Sequence, residues 1–145
     1  MGPSGSGKTS LLNVLAQRSE YNTKMSLTGN IYLNQHPFKA KSFARKIAYV
    51  QQNDVLYPFM TVFETLLLAA NFKMSKHTPL EEKEKKVDTI INLLGLTEVR
   101  DKMVGTQEER GLSGGEKKRL NVAIEMISSP QILFLDEPTT GLDSF

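Results

Sequence analysis

The first ten residues, Met1–Ser10, read MGPSGSGKTS. From Gly2 to Thr9 they fit the phosphate-binding loop pattern G-x-x-x-x-G-K-[ST]. Glycines let successive backbone N–H groups turn towards a phosphate, and a helix beginning at about Gly7 would point its first amides and its positive dipole end at the same anion. In this pattern Lys8 reaches the β- and γ-phosphates, and the Thr9 hydroxyl binds Mg²⁺. The stretch therefore predicts a site for the phosphates of a nucleotide.

The same ten residues also have the composition of a flexible glycine- and serine-rich linker. The apolar spacing of Leu11, Leu12 and Leu15 directly after them favours a helix instead. A phosphate-binding loop normally connects a buried strand to a helix, and no residues for that strand precede Gly2. The chain also stops at Phe145, shortly after an acidic motif. We therefore expect an excerpt of a longer protein, truncated close to its motifs at both ends.

The composition of the chain sets broad limits on its class. At 145 residues with 39% hydrophobic content it can form one domain with a core. The formal net charge of +2 gives no reason to expect a nucleic-acid partner. The absence of cysteine excludes disulfides, and no apolar run approaches the ~20 residues of a membrane-spanning helix.

The segment after the first helix has the pattern of short strands. Residues Met25–Asn34 alternate like a half-exposed strand pair, with a turn expected at Thr28–Asn30. Pro37 is expected to break the structure that precedes it. The β-rich run Lys46–Val50 then predicts another strand.

Two helices are predicted in the middle of the chain. Thr61 and Glu64 form a T-x-x-E capping box that would open a helix through about Phe72. The charged run Glu81–Lys86 is expected to be the solvated surface of an amphipathic helix that ends at Gly95. The apolar faces of these two helices are formed by Leu66, Leu67 and Ala70 and by Val87, Ile90, Ile91 and Leu94.

A second glycine-rich stretch, Leu112–Glu116, reads LSGGE. Ser113 and Glu116 form an S-x-x-E capping box, so the simplest interpretation is a well-capped helix. Two adjacent glycines, Gly114 and Gly115, are poor helix formers in a first turn, and capping alone does not explain them. They fit a helix N-terminus whose amides must be approached closely by the phosphate of another molecule.

An apolar run that ends in two carboxylates follows this helix. Residues Ile132–Leu135 fit a strand buried on both faces, as in a parallel sheet. Asp136 at its carboxyl end would face the phosphate loop and hold the water shell of Mg²⁺. Glu137 could accept a proton from an attacking water.

The order of these motifs resembles the nucleotide-binding domain of ATP-binding cassette (ABC) transporters, and the resemblance covers essentially all of residues 1–145. The order is GPSGSGKT, Gln52, LSGGE, ILFLDE and GLDS. LSGGE resembles the signature motif of that family. Three longer stretches resemble its G subfamily, the white and pleiotropic drug resistance type: GPSGSGKTSLLNVLA, YVQQNDVLYPFMTVFETL and RGLSGGEKKRLNVAIEMISSPQILFLDEPTTGLDS. The fold implied is α/β, a P-loop NTPase with a RecA-like parallel-sheet core and a helical subdomain over roughly residues 57–124.

The resemblance also implies roles for single residues. Glu137 would be the general base, with Gln52 and Lys8 as further catalytic residues, and Mg²⁺ would be held by Thr9, Gln52 and Asp136. Gln52 is preferred to its neighbour because the glutamine of the family directly precedes an acidic or amide pair, here at residues 53–54. The loop that cradles ATP would comprise Gly2, Pro3, Ser4, Gly5, Ser6, Gly7, Lys8, Thr9 and Ser10.

Two further motifs are expected to act between subunits. Ser113, Gly114 and Gly115 of the signature would bind the γ-phosphate held by the opposite cassette, and Asp143 would lie in the D-loop at the dimer interface. The signature residues are Leu112, Ser113, Gly114, Gly115 and Glu116. The adenine-stacking aromatic residue and the switch histidine of the family fall outside the chain.

The resemblance implies ATP and Mg²⁺ as cofactors, and a second nucleotide-binding domain and a transmembrane domain as partners. The expected function is ATP hydrolysis on the cytosolic side of a membrane that powers export of a lipophilic substrate, with poor hydrolysis by the isolated fragment. One alternative is a soluble mechanical ATPase acting on DNA or ribosomes, but no coiled-coil insertion or basic arm lies between Gln52 and Leu112. Another is a non-catalytic nucleotide-gated interaction module, against which the presence of Glu137 argues.

Overall fold

A computed structural model describes residues 3, 5–16, 18, 28–38, 46–52, 55–106 and 111–138. These ranges contain four α-helices, one 3₁₀ turn and four short strands. In chain order they are α1 (Lys8–Leu15), β1 (Tyr32–Leu33), β2 (His36–Pro37), β3 (Ile47–Val50), α2 (Val62–Lys73), α3 (Leu80–Leu93), the 3₁₀ turn (Thr97–Val99), α4 (Gly114–Met126) and β4 (Ile132–Leu135).

The two central strands, β3 and β4, pair in parallel. Their register places Ile47 beside Ile132 and Val50 beside Leu135, so both strands end at the same edge. The backbone N–H of Asp136 continues the pairing by donating to the carbonyl of Val50 at 3.1 Å. A parallel pair requires a crossover connection, which here carries the helices. The predicted α/β class with a parallel sheet is confirmed.

The burial of β4 differs from the sequence prediction. We expected residues 132–135 to be buried on both faces, but all four are at least partly accessible and Leu135 is 38% exposed. In β3, by contrast, Ala48, Tyr49 and Val50 are buried. Within the described ranges β4 pairs with β3 alone, in agreement with the partial exposure of its side chains.

Most of the hydrophobic core lies between α2, α3 and α4. Each helix contributes one apolar stripe, and Leu66, Ile91 and Leu120 are almost completely inaccessible. The segments before and after α4 close this core. Its buried members are Val62, Leu66, Ala70, Val87, Ile90, Ile91, Leu96, Val104, Leu112, Leu120, Ala123 and Ile127.

The start of α2 confirms the predicted capping box. The Thr61 hydroxyl accepts a hydrogen bond from the Glu64 backbone N–H at 3.2 Å, and the Glu64 carboxylate accepts one from the Thr61 N–H at 2.9 Å. The bond from the Thr61 N–H lowers the pKa of Glu64 below its ordinary value of 4.5. The helix ends at Lys73, one residue beyond the predicted end.

The charged run at the start of α3 is less solvated than its sequence suggests. Lys83 is only 7% exposed, and its ammonium group donates to the side-chain oxygen of Asn71 at 2.9 Å. Glu81 and Lys85 form the exposed i,i+4 pair that was expected, at 2.8 Å. The helix ends at Leu93, shortly before Gly95, as predicted.

Residues 32–37 form a hairpin that the sequence did not indicate. It turns at Asn34 and Gln35, whose φ angles of 47° and 67° are those of a two-residue primed turn. Residues 25–27, the first strand of the predicted pair, lie outside the described residues, so the turn at residues 28–30 stays a prediction. Pro37 lies within β2 instead of ending the structure. Its partner is Tyr32, next to the Ile31–Phe38 hydrogen bond, so it occupies a position that needs no N–H donor.

Removing the cap of α2 is expected to destabilise the domain. Thr61→Ala should lower the free energy of unfolding by about 1 kcal/mol, because the Glu64 N–H loses its acceptor. Thr61→Ser retains the hydroxyl and should retain most of that stability. Equilibrium unfolding in urea, followed by circular dichroism, measures both. Equal losses in the two variants would contradict a role for the hydroxyl.

The same cap predicts a pH dependence. Because the pKa of Glu64 is lowered in the folded state, its stabilising contribution is present above pH 4.5 and is lost as the pH falls through the folded value. The melting temperature of Glu64→Gln should therefore be below that of the unsubstituted protein at neutral pH. The difference should shrink as the pH falls below 4.5. A constant difference would show that the charge of Glu64 contributes nothing.

Candidate functional site

The glycine-rich loop leads directly into α1. Gly5 and Gly7 have φ angles of 80° and 83°, in the left-handed region that favours glycine. An added Cβ would meet nothing within 4 Å at either position, so the backbone conformation and not space requires glycine there. Gly7 is the N-cap of α1 and has no side chain to place in front of the first-turn amides. The loop therefore fits an anion. Gly2 and Ser4 lie outside the described residues.

Lys8 connects this loop to the acidic segment after β4. Its ammonium group donates to the Pro3 carbonyl at 3.0 Å and lies 3.4 Å from the Glu137 carboxylate. Both charged side chains are about one-third exposed. The ammonium group therefore lies at the mouth of the loop, where it can exchange a protein carboxylate for a phosphate oxygen.

Asp136 is the most buried acidic group of the site, with 4% exposure. Its Oδ1 accepts a hydrogen bond from the Thr9 hydroxyl at 3.2 Å, and its Oδ2 accepts one from the Tyr49 hydroxyl at 3.2 Å. The structure thus brings together two of the three residues predicted to hold a cation, Thr9 and Asp136, although they lie at opposite ends of the sequence. A hydroxyl and a carboxylate are suitable ligands for Mg²⁺, which usually adds water and phosphate oxygens.

Nothing in the sequence indicated that Tyr49 would lie at the site. Burial is the largest cause of its raised pKa, followed by the negative charge of Asp136 and the hydrogen bond to it, with Arg18 acting in the opposite direction. The phenol therefore stays protonated and donates at neutral pH. The alternation of β3 does not reveal this contact, because it depends on the register of β3 against β4.

Gln52 and Glu137 meet at the carboxyl ends of the two parallel strands. The Gln52 side-chain amide donates to the Glu137 carboxylate at 3.1 Å. Glu137 itself has a φ of 48°, a left-handed conformation that is uncommon for a non-glycine residue. The side chains of Lys8, Gln52 and Glu137, predicted to be catalytic, therefore lie together.

These groups surround an open cleft with a volume of about 260 Å³. It adjoins a second cavity of about 440 Å³, which Thr9, Tyr49, Gln51, Gln52 and Asp136 help to line. The lining of the smaller cleft consists of Gly5, Gly7, Lys8, Thr9, Ser10, Gln52 and Glu137.

The signature stretch forms the start of α4 and lines neither cavity. Ser113 is the N-cap, and its hydroxyl accepts from the Glu116 N–H at 3.3 Å while the Glu116 carboxylate accepts from the Ser113 N–H at 2.6 Å. That second bond is the main reason why the pKa of Glu116 is lowered, with Lys102 and Arg119 adding to it. Leu112 is buried, whereas Ser113 and Gly114 are exposed and Gly115 is half-buried.

A hydrogen bond from Lys118 links α4 to the site. The Lys118 ammonium group, one turn after the signature glycines, donates to the backbone carbonyl of Gln52 at 2.5 Å. The sequence did not indicate this contact, since a lysine on a helix surface carries no information about its partner. Asp143, predicted to lie at a subunit interface, is outside the described residues.

No helix in the described ranges combines the length and the apolar character needed to cross a bilayer.

Comparison with known proteins supports the family that the order of the motifs resembles. A family model described as "ABC transporter" matches residues 1–140. The chain is 46% identical to Arabidopsis thaliana ABC transporter G family member 7 over 145 residues, which are 100% of the chain and 20% of that protein. It is also 46% identical to the rat broad substrate specificity ATP-binding cassette transporter ABCG2 over 144 residues, 99% of the chain and 21% of that protein. A Saccharomyces cerevisiae probable ATP-dependent permease is 41% identical over 144 residues, 99% of the chain and 13% of that protein.

The chain therefore spans about a fifth, or less, of the length of these relatives. The family match extends over nearly all of it and includes both the glycine-rich loop and the acidic segment that meet at the cleft. The chain belongs to the ABC transporter family.

Proposed function

We propose that this chain binds and hydrolyses ATP as part of a membrane transporter. The observation that carries the proposal is the cluster at the ends of β3 and β4, where Lys8 and Gln52 both contact Glu137 and Thr9 contacts Asp136. The names of two similar proteins, an ATP-binding cassette transporter and an ATP-dependent permease, support the same class of activity.

Each group in the cluster has a chemical task under this proposal. The backbone amides of the loop and the Lys8 ammonium group hold the triphosphate. Thr9, Asp136 and Gln52 hold Mg²⁺, which neutralises phosphate charge when bound. Glu137 accepts the proton of a water molecule, and its hydrogen bond from Gln52 orients the carboxylate.

The exposed start of α4 supports the proposal that the signature binds nucleotide held by a second cassette. Ser113 uses its hydroxyl oxygen to accept from the Glu116 N–H, so the hydroxyl hydrogen can still donate outwards. The exposed Gly114 allows close approach. The active unit is then a homo- or heterodimer around two ATP molecules, with Asp143 at the same interface.

The remaining parts of the proposal concern the rest of the transporter. Residues 57–124 form a helical subdomain that contacts a transmembrane domain, and the cassette lies on the cytosolic side of the membrane. Hydrolysis powers the export of a lipophilic substrate, and no nucleic acid takes part. The isolated 145-residue chain hydrolyses ATP poorly, because two motifs of the family are not among its residues.

Substituting the proposed general base tests the chemistry. In the protein that carries this chain, Glu137→Gln should lower the turnover number by about 10²–10⁴-fold while ATP binding is retained. Glu81→Gln is the matched control, since that carboxylate is 79% exposed on α3. Steady-state phosphate release and equilibrium ATP binding measure the two effects. Unchanged turnover in Glu137→Gln would contradict the assignment.

Substituting Ser113 tests the dimer. Ser113→Ala should reduce turnover by about 10²-fold through loss of a donor to phosphate, and should weaken ATP-dependent dimerisation. Thr61→Ala is the matched control, because it removes an identical capping hydroxyl from a helix with no proposed contact to nucleotide. Phosphate release and sedimentation velocity with ATP provide the readouts. If both alanine variants lost equal activity, capping alone would explain the result.

A further inference from the structure

Tyr49 lies in the middle of β3, where its ring is held from two directions. The residue is 8% exposed and is paired in register with Phe134, and the two ring centroids are 6.4 Å apart. The guanidinium carbon of Arg18 lies 5.0 Å from the centroid of the Tyr49 ring. A phenylalanine could fill the same space, so packing alone does not require the hydroxyl group.

The strand geometry directs this hydroxyl to Asp136. Side chains two residues apart on a strand share a face, so Asp136 lies on the same face as Phe134. Tyr49 is the neighbour of Phe134 on β3, and its hydroxyl extends along that face to Asp136 Oδ2 at 3.2 Å. The bond satisfies a buried donor, which would otherwise be costly.

The two oxygens of the Asp136 carboxylate therefore have different partners. Oδ2 is engaged by Tyr49, and Oδ1 points to the Thr9 hydroxyl. The terminal torsion of an aspartate side chain is intrinsically broad, so a carboxylate without such a bond would sample many orientations. Two hydrogen bonds, one to each oxygen, restrict the carboxylate to one orientation.

We propose that Tyr49 is a positioning residue for Mg²⁺ binding, which holds Oδ2 of Asp136 so that Oδ1 is presented beside Thr9. The inference rests on the proposed function, because it assumes that Asp136 and Thr9 serve a nucleotide-bound cation. Under this inference Tyr49 acts through Asp136 and is not itself a ligand of the cation or the nucleotide. Its effect is confined to the orientation of one ligand, as for other groups that hydrogen-bond to metal ligands.

The test compares nucleotide binding with and without the cation in the protein that carries this chain. Binding of the non-hydrolysable analogue AMP-PNP is measured by calorimetry in EDTA and across a Mg²⁺ titration. In Tyr49→Phe the Mg²⁺ concentration for half-maximal enhancement should rise about tenfold. The affinity in EDTA should stay within about twofold, since the ring still fills its place. Tyr32→Phe, which alters a 59% exposed tyrosine in the hairpin, should change neither quantity.

A double-mutant cycle separates positioning from a general structural effect. In an Asp136→Asn background, Tyr49→Phe should cause little further change in the Mg²⁺ response, because the group that it positions has lost its charge. Independent, additive effects would overturn the inference. So would an unchanged Mg²⁺ response in Tyr49→Phe, or an equal loss of affinity with and without Mg²⁺.

The unsubstituted protein distinguishes failure of this inference from failure of the proposed function. If it shows no Mg²⁺-enhanced nucleotide binding, both are wrong. If it shows that enhancement and Tyr49→Phe shows it equally, only the role of Tyr49 is wrong.

Discussion

The parallel pairing of β3 with β4 is the constraint on which the site depends. Because the two strands run in the same direction and in register, the residues that follow them, Gln52 and Glu137, emerge side by side. The pairing also places Tyr49 on the face that carries Asp136. A shift of one residue would turn every side chain of the shifted strand to the other face of the sheet and separate these contacts. The helices between the strands make the crossover possible and contain most of the core.

A capping box begins both α2 and α4, but its consequences differ between the two helices. Thr61 and Glu64 close the start of α2 next to the buried Val62, and Ser113 and Glu116 close the start of α4 at an exposed position. In both cases a carboxylate with a lowered pKa accepts from the backbone of the cap residue. A helix start is thus made rigid by bonds within four residues, whether or not other parts of the protein support it. At α4 the helix start can therefore be capped and exposed to solvent at the same time.

Local chemistry in the sequence predicted the elements well, because capping residues and hydrophobic periodicity act over a few positions. The starts of α1, α2 and α4 and the strands β3 and β4 were all predicted, and the apolar run of β4 also indicated a parallel sheet. The turn at Asn34 and Gln35 was missed because neither residue is glycine, although both adopt positive φ. The partial exposure of β4 was missed because an apolar run does not indicate how many strands and helices pack against it. The bond from Tyr49 to Asp136 depends on strand register, which no local pattern contains. Family resemblance, not local chemistry, assigned Gln52 and Glu137 to the same catalytic site.

The bond from Lys118 to the carbonyl of Gln52 has a mechanical consequence. Ser113 and Lys118 lie on the same rigid helix, slightly more than one turn apart, so α4 cannot rotate at one of them without moving the other. Gln52 in turn holds the carboxylate of Glu137. Two hydrogen bonds therefore link the exposed start of α4, through Lys118 and Gln52, to Glu137 at the cleft. A displacement of α4 at Ser113 would also displace Lys118, whose ammonium group contacts the Gln52 carbonyl.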